Sequence, residues 1–126
     1  MPVYDSSFKP PAPVADVTVA HPVSGLRRRT LRGKLDSGAD TTVIPDRVVK
    51  QLGLTPRGHI WTRGFDGTFS HRPVFYVRFL LEGFDLPSVR CVAADRTTVL
   101  VGRNVLNRFL LILDGKNRTF DLQDPP

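Results

Sequence analysis

Leu35-Asp36-Ser37-Gly38-Ala39-Asp40-Thr41-Thr42-Val43-Ile44-Pro45 is the stretch on which the reading of this chain turns. Its composition describes a short polar loop that leaves one apolar segment and enters another. Gly38 permits a tight backbone path, and the Ser37 hydroxyl is suited to bonding neighbouring backbone groups. An Asp-Ser-Gly triplet alone is weak evidence, because an ordinary turn holds the same residues. Its meaning depends on what flanks it.

Upstream, Val14, Asp16 and Thr18 alternate with Ala15, Val17 and Val19, the period of a strand with one buried face. His21 to Gly25 reads as a turn, and Leu26 to Leu35 as a returning strand. In that strand Arg28, Thr30, Arg32 and Lys34 form a wet face. The two segments make a β-hairpin that delivers the chain to Asp36. Downstream, Asp46 is an N-cap candidate, Val48, Val49 and Leu52 have helical spacing, and Gly53 is a stop, so a short helix is expected over 46–52. Gly58 to Gly64, a turn through Phe65-Asp66-Gly67, and Thr68 onward suggest a second hairpin. Val74 to Leu81, Leu86 to Ala94 and Val99 to Val101 are strand-like, with Gly83 breaking the first. Asn104 to Phe109 suits a helical turn or two, and Asp114-Gly115-Lys116-Asn117 joins a last hairpin between Leu110–Leu113 and Arg118–Leu122. Many short strands at close turn spacing with two small helices describe a mainly β domain with a closed, barrel-like sheet over 14–122. A proline-rich arm, 1–13, precedes it and a tail, 123–126, follows.

The 126 residues fit one small domain with a modest core, so stability is expected to lean on a subunit interface. A formal charge of +6 would suit nucleic acid, but the basic residues are scattered and the dense run at Arg27-Arg28-Arg29 belongs to the wet strand. No nucleic-acid partner is expected. Cys91 stands alone in an apolar stretch, a small core residue that fits a reducing compartment. No apolar run nears the roughly 18 residues of a membrane span, and no signal peptide is visible, so the expected location is cytoplasmic, with no membrane partner. His21, His59 and His71 lack the spacing of a metal site, and no phosphate-binding glycine motif appears, so neither metal nor cofactor is expected.

A second segment gives the first its meaning. Val99-Leu100-Val101-Gly102-Arg103-Asn104-Val105-Leu106 lies far enough downstream to leave room for a hairpin between the two. The pair resembles the two signature motifs of the retropepsins, the single-domain aspartic proteases of retroviruses and their cellular and bacterial relatives. One motif is apolar-Asp-(Thr or Ser)-Gly-Ala running into Thr-Val-(Ile or Leu); the other is apolar-apolar-Gly-Arg-(Asn or Asp)-x-Leu. The resemblance implies a closed acid-protease barrel with a flap hairpin. It also implies a homodimeric aspartic endopeptidase in which two aspartates, one per subunit, share a proton and hold a water.

Carried over residue by residue, Asp36 is catalytic, Ser37 bridges to the opposite loop, and Gly38 admits the substrate backbone. Asp40 pairs with Arg103, beside Gly102, in a partly buried, bidentate contact. Ala39, Thr41, Val43, Thr98 and Leu100 fall where the family touches substrate side chains, which implies an extended polypeptide with apolar residues at the cut. Trp61 to Phe69 falls at the flap, with Gly64 and Gly67 bending it and Trp61 and Phe65 placed to line the pocket, while Phe69 better suits ordinary cross-strand packing. This flap departs from the viral pattern: it has fewer glycines and carries Arg63 and Asp66. That departure sustains an alternative, a catalytically silent dimerisation or peptide-binding module, against which the intact Asp36-Ser37-Gly38 argues. Family dimers often join through chain termini. Here the C-terminal hairpin up to Leu122 is the better candidate, because a proline-rich arm is expected to hydrogen-bond poorly.

Overall fold

The computed structural model describes residues 1–64 and 66–126. Strand β1 (Val14–Ala20) and β2 (Arg28–Leu35) form the expected antiparallel hairpin, in register from Val14↔Lys34 to Ala20↔Arg28. Their alternation places Ala15, Val17 and Val19 inside, while Asp16, Arg28 and Arg32 stay in water. β3 (Thr42–Pro45) leads directly into α1 (Asp46–Leu52), which buries Val48 and Leu52. The N-cap of α1 is Pro45, not Asp46. The proline has the fixed φ that suits the turn into a helix but no side-chain acceptor, and Asp46 instead places its carboxylate in the first turn, where the helix dipole favours it. Gly53 ends the helix in the left-handed conformation (φ 64°).

β4 (His59–Arg63) and β5 (Phe69–Pro73) form a hairpin apart from the barrel. β6 (Phe75–Leu81) returns as β7 (Phe84–Ala94), and Gly83 is not a break but half of the turn between them. Glu82 and Gly83 both have positive φ, 48° and 82°, as a two-residue turn of this hand requires. β8 (Val99–Val101) precedes the short α2 (Arg103–Leu106), and β9 (Leu110–Asp114) pairs with β10 (Thr119–Gln123).

Six strands close into a barrel in the order β1-β2-β8-β3-β7-β6. Two pairings are parallel, β2 with β8 and β3 with β7, so β8 is inserted between two strands that are neighbours in sequence. Val17, Val77, Phe79, Cys91, Val99 and Val101 fill the barrel with no exposed surface, and Phe120 from β10 closes one end. The arm makes more hydrogen bonds than its prolines suggest. Tyr4 N–H donates to Arg118 O at 2.8 Å, and Pro2 O accepts from Phe120 N–H at 2.9 Å, because proline lacks only the donor and its carbonyl remains available. On β9, Leu110, Ile112 and Leu113 stay exposed. Among the described residues, no helix is long and apolar enough to cross a membrane.

Candidate active site

Because β8 lies between β2 and β3, the chain leaving β2 must cross the end of β8 to reach β3. Residues 36–41 make that crossing as an arch. Asp36 N–H donates to Val101 O at 2.9 Å, continuing the β2–β8 ladder by one bond, and Ala39 N–H donates to Asp36 O at 3.2 Å. The Asp36 side chain turns back into its own loop, where Oδ1 accepts the Gly38 N–H at 2.8 Å. This leaves Asp36 half-buried and Ser37, Gly38 and Asp40 exposed.

Gly102, Arg103 and Asn104 hold the arch from beneath. A Cβ on Gly102 would lie 2.7 Å from the carbonyl carbon of Thr41 and 2.9 Å from both Thr41 O and Thr42 N, so only glycine passes here. Gly102 N–H donates to Thr42 Oγ1 at 3.1 Å. The Thr42 hydroxyl and N–H then donate to Asn104 Oδ1 at 2.9 and 3.0 Å, while Asn104 Nδ2 donates to Arg90 O on β7 at 2.8 Å. Thr42 is fully buried, and this chain of bonds satisfies it. Arg103 grips the crest: its N–H donates to Ala39 O at 2.8 Å, Nη1 to Ser37 O at 2.7 Å, and Nη2 to the Asp40 carboxylate. The Asp40–Arg103 contact thus exists in another form than expected. The guanidinium fork divides between a carboxylate and a carbonyl, and the Asp40 side chain is 83% exposed. In one chain such a pair contributes less than about 1 kcal/mol; its effect is on the shape of the loop.

Beside the arch opens a cleft of about 600 Å³. Gly38 to Thr41, Val43 and Leu100 form one wall, Val92 to Ala94 with Arg96 another, and the β4–β5 hairpin the roof through Trp61, Arg63, Gly64, Phe69 and Arg72. Ala39, Thr41, Val43, Gly64 and Leu100 line one cleft; Phe65 lies outside the described residues. Asp36 and Ser37 are not in the wall but adjoin it through Gly38. The hairpin is stiffer than its sequence suggests. Asp66 Oδ1 accepts from Thr68 N–H and Oγ1 at 3.0 and 2.7 Å, which holds its carboxyl below the usual range, and Gly64 N–H donates to Thr68 O at 2.8 Å. Trp61 packs tilted against His71, 5.0 Å between centroids, yet remains 68% exposed.

Three residues that matter here escaped the sequence reading: Thr42, Asn104 and Arg96. Arg96 lies between β7 and β8 and folds onto its own loop, donating through Nε to Thr98 O at 2.7 Å and through Nη2 to Thr98 Oγ1 at 3.2 Å. Arg47 on α1 braces that loop by donating to the carbonyls of Arg96 and Thr97 at 3.4 and 3.2 Å. Burial pulls the Arg96 guanidinium below its ordinary range, and the nearby Asp36 carboxylate acts in the opposite sense. Thr98 serves as the bracket for Arg96 and is not part of the cleft wall.

A closed barrel of this strand order, with a hairpin over one side and a signature loop crossing beneath it, is a retropepsin-like fold. Residues 17–106 match the family model described as aspartyl protease, and the chain belongs to that family. The fold is similar to the foamy viral protease-reverse transcriptase solved in complex with an RNA/DNA hybrid, with a TM-score of 0.59 at 19% identity. The match covers 82% of this chain and 13% of that one, so this chain corresponds to a small part of the viral polypeptide. No curated protein matches the chain.

Proposed function

We propose that the protein is a homodimeric aspartic endopeptidase in which Asp36 of each subunit holds one water between them. The observation that carries this reading is the state of Asp36. It begins an arch pinned by Thr42, Asn104 and Arg103, it is half-buried, and only its Oδ1 is engaged by its own loop. These 126 residues contain one Asp-Ser-Gly, so the domain supplies one carboxylate and, on this reading, a second copy supplies the other. The position of Asp36 outside the cleft wall fits the same idea, since half a site should open toward its missing half.

Two carboxylates at close range cannot both ionise readily and therefore retain one proton between them. The ionised one takes a proton from the water, which attacks the peptide carbonyl, while the protonated one donates to the carbonyl oxygen. Collapse of the tetrahedral intermediate returns a proton to the leaving amine. Ser37 steadies the opposite loop, Gly38 and Gly64 offer backbone groups to an extended substrate, and the β4–β5 hairpin closes over it and excludes water. The exposed apolar strand β9 supplies the contact surface for the second copy.

The test is cleavage of a denatured protein between pH 3 and 7 by wild type and Asp36→Asn, at several enzyme concentrations. Wild type should cut with specific activity rising as the dimer forms, and the variant should be silent. A folded, dimeric wild type that cuts nothing would overturn the reading.

A further inference from the structure

The cleft carries charge that a peptidase for purely apolar segments has no use for. Arg63 and Arg72 come from the roof and Arg96 from the β7–β8 loop, and all three line the same space. Asp40, the only acid among the described residues of the lining, is already held by Arg103. Among the described residues there are four ion pairs, and none involves Arg63, Arg72 or Arg96. Their local bonds go to neutral groups. Arg72 Nη1 donates to Ala93 O at 3.0 Å, Arg63 lies 5.7 Å over the Phe69 ring, and Arg96 is fixed by Thr98. Arg96 Nη1 makes no hydrogen bond among the described residues, so the guanidinium, which lines the cleft and also feels the Asp36 carboxylate, keeps a free donor.

We infer that the substrates of this site are polypeptides with an acidic side chain next to the scissile bond, read by Arg96, and further acidic residues read by Arg72 and Arg63. The inference rests on the peptidase reading above and names its substrate class. In an extended peptide, residues two apart point the same way, so acidic side chains at alternate positions share one face toward the arginines while their neighbours meet the apolar Val43 and Leu100. A carboxylate suits the planar guanidinium fork, and a pocket with three cations rejects lysine or arginine at the same positions. The preference has its own pH dependence. Free Asp and Glu side chains protonate near pH 4, so discrimination is strongest above that range and fades below it.

Binding tests this separately from catalysis. Full-length Asp36→Asn is titrated against a labelled decapeptide with glutamates at alternate positions, and against its glutamine twin, at pH 5.5 and 3.5. The acidic peptide is expected to bind on the order of tenfold more tightly at pH 5.5, as loss of one charge-assisted contact implies, with the gap closing at pH 3.5. Arg96→Gln should remove most of the gap, Arg96→Lys should keep part of it, and Lys50→Gln, an equal change in net charge on α1, should leave it intact. Arg63→Gln, an exposed position, should narrow the gap even if Arg96→Gln proves unstable. Equal binding of the twins, or a gap untouched by both Arg96→Gln and Arg63→Gln, overturns the inference. So does tighter binding of a single-stranded oligonucleotide of the same charge. Wild type that cuts both twins equally well upholds the peptidase and refutes the preference. Acidic binding without any cutting refutes the peptidase and keeps the ligand class.

Discussion

Replacing Thr42 by valine removes one oxygen and adds one methyl, with almost no change in shape. The structure makes this small change expensive. The hydroxyl accepts the Gly102 N–H at 3.1 Å and donates to Asn104 Oδ1 at 2.9 Å, and Thr42 has no solvent-exposed surface from which water could substitute. Valine leaves the Gly102 N–H without a partner and Asn104 Oδ1 with only the Thr42 N–H. The abandoned Gly102 N–H costs about 1–3 kcal/mol and the lost bond to Asn104 Oδ1 about 1 kcal/mol more, so the sum is about 2–4 kcal/mol. For a chain of this length that lowers Tm by on the order of 10 °C. The assay is a far-UV circular dichroism melt of wild type, Thr42→Val, Asn104→Ala and the double variant, all at one protein concentration because the proposed dimerisation would shift Tm. The two changes should couple by at least about 1 kcal/mol, since they share a bond. A Thr42→Val melt within a degree or so of wild type, or additive losses, would refute the bracket. Wild-type levels of cleavage in a stable Thr42→Val would refute its link to the Asp36 arch.

Gly102→Ala should cost at least about 2 kcal/mol, because the new methyl meets the Thr41 and Thr42 backbone rather than a side chain that can turn away; an unchanged urea midpoint would show that the close approach does not exist. Cys91 is fully buried and its thiol is pushed up to about 12, so it stays protonated at pH 8. Alkylation of the native protein at that pH should therefore proceed only as fast as the protein unfolds, and rapid stoichiometric labelling would contradict the packing.

What could be read from the sequence was mostly local. The β1–β2 hairpin follows from alternation between Val14 and Leu35, and α1 from the spacing of Val48, Val49 and Leu52 before Gly53. The loop was legible because its residue types and their link to Gly102-Arg103 resemble a known pattern. The insertion of β8 between β2 and β3 was not legible, since periodicity reveals which face of a strand is buried but not which strand lies beside it. Thr42 fitted the signature motif, but nothing in the motif showed that its hydroxyl is buried and bonded. Its burial is a result of that insertion. Arg96 sits in a polar connection to which the sequence assigns no role; only the fold shows that this connection borders the same cleft as Gly38. The arm was misjudged for a simpler reason: counting prolines counts missing donors and ignores the carbonyls that remain.

The arch depends on partners 60 to 66 residues further along the chain, Gly102, Arg103 and Asn104. During synthesis, Asp36 leaves the ribosome several seconds before them at typical elongation rates. Until then β3 has neither β7 nor β8 to pair with, and the Asp36 loop has nothing to hold its shape. A nascent or prematurely terminated chain therefore displays the motif without the device. Ordering of the loop is tied to near-completion of the barrel, so the fold itself postpones assembly of the proposed site until most of the domain has been made.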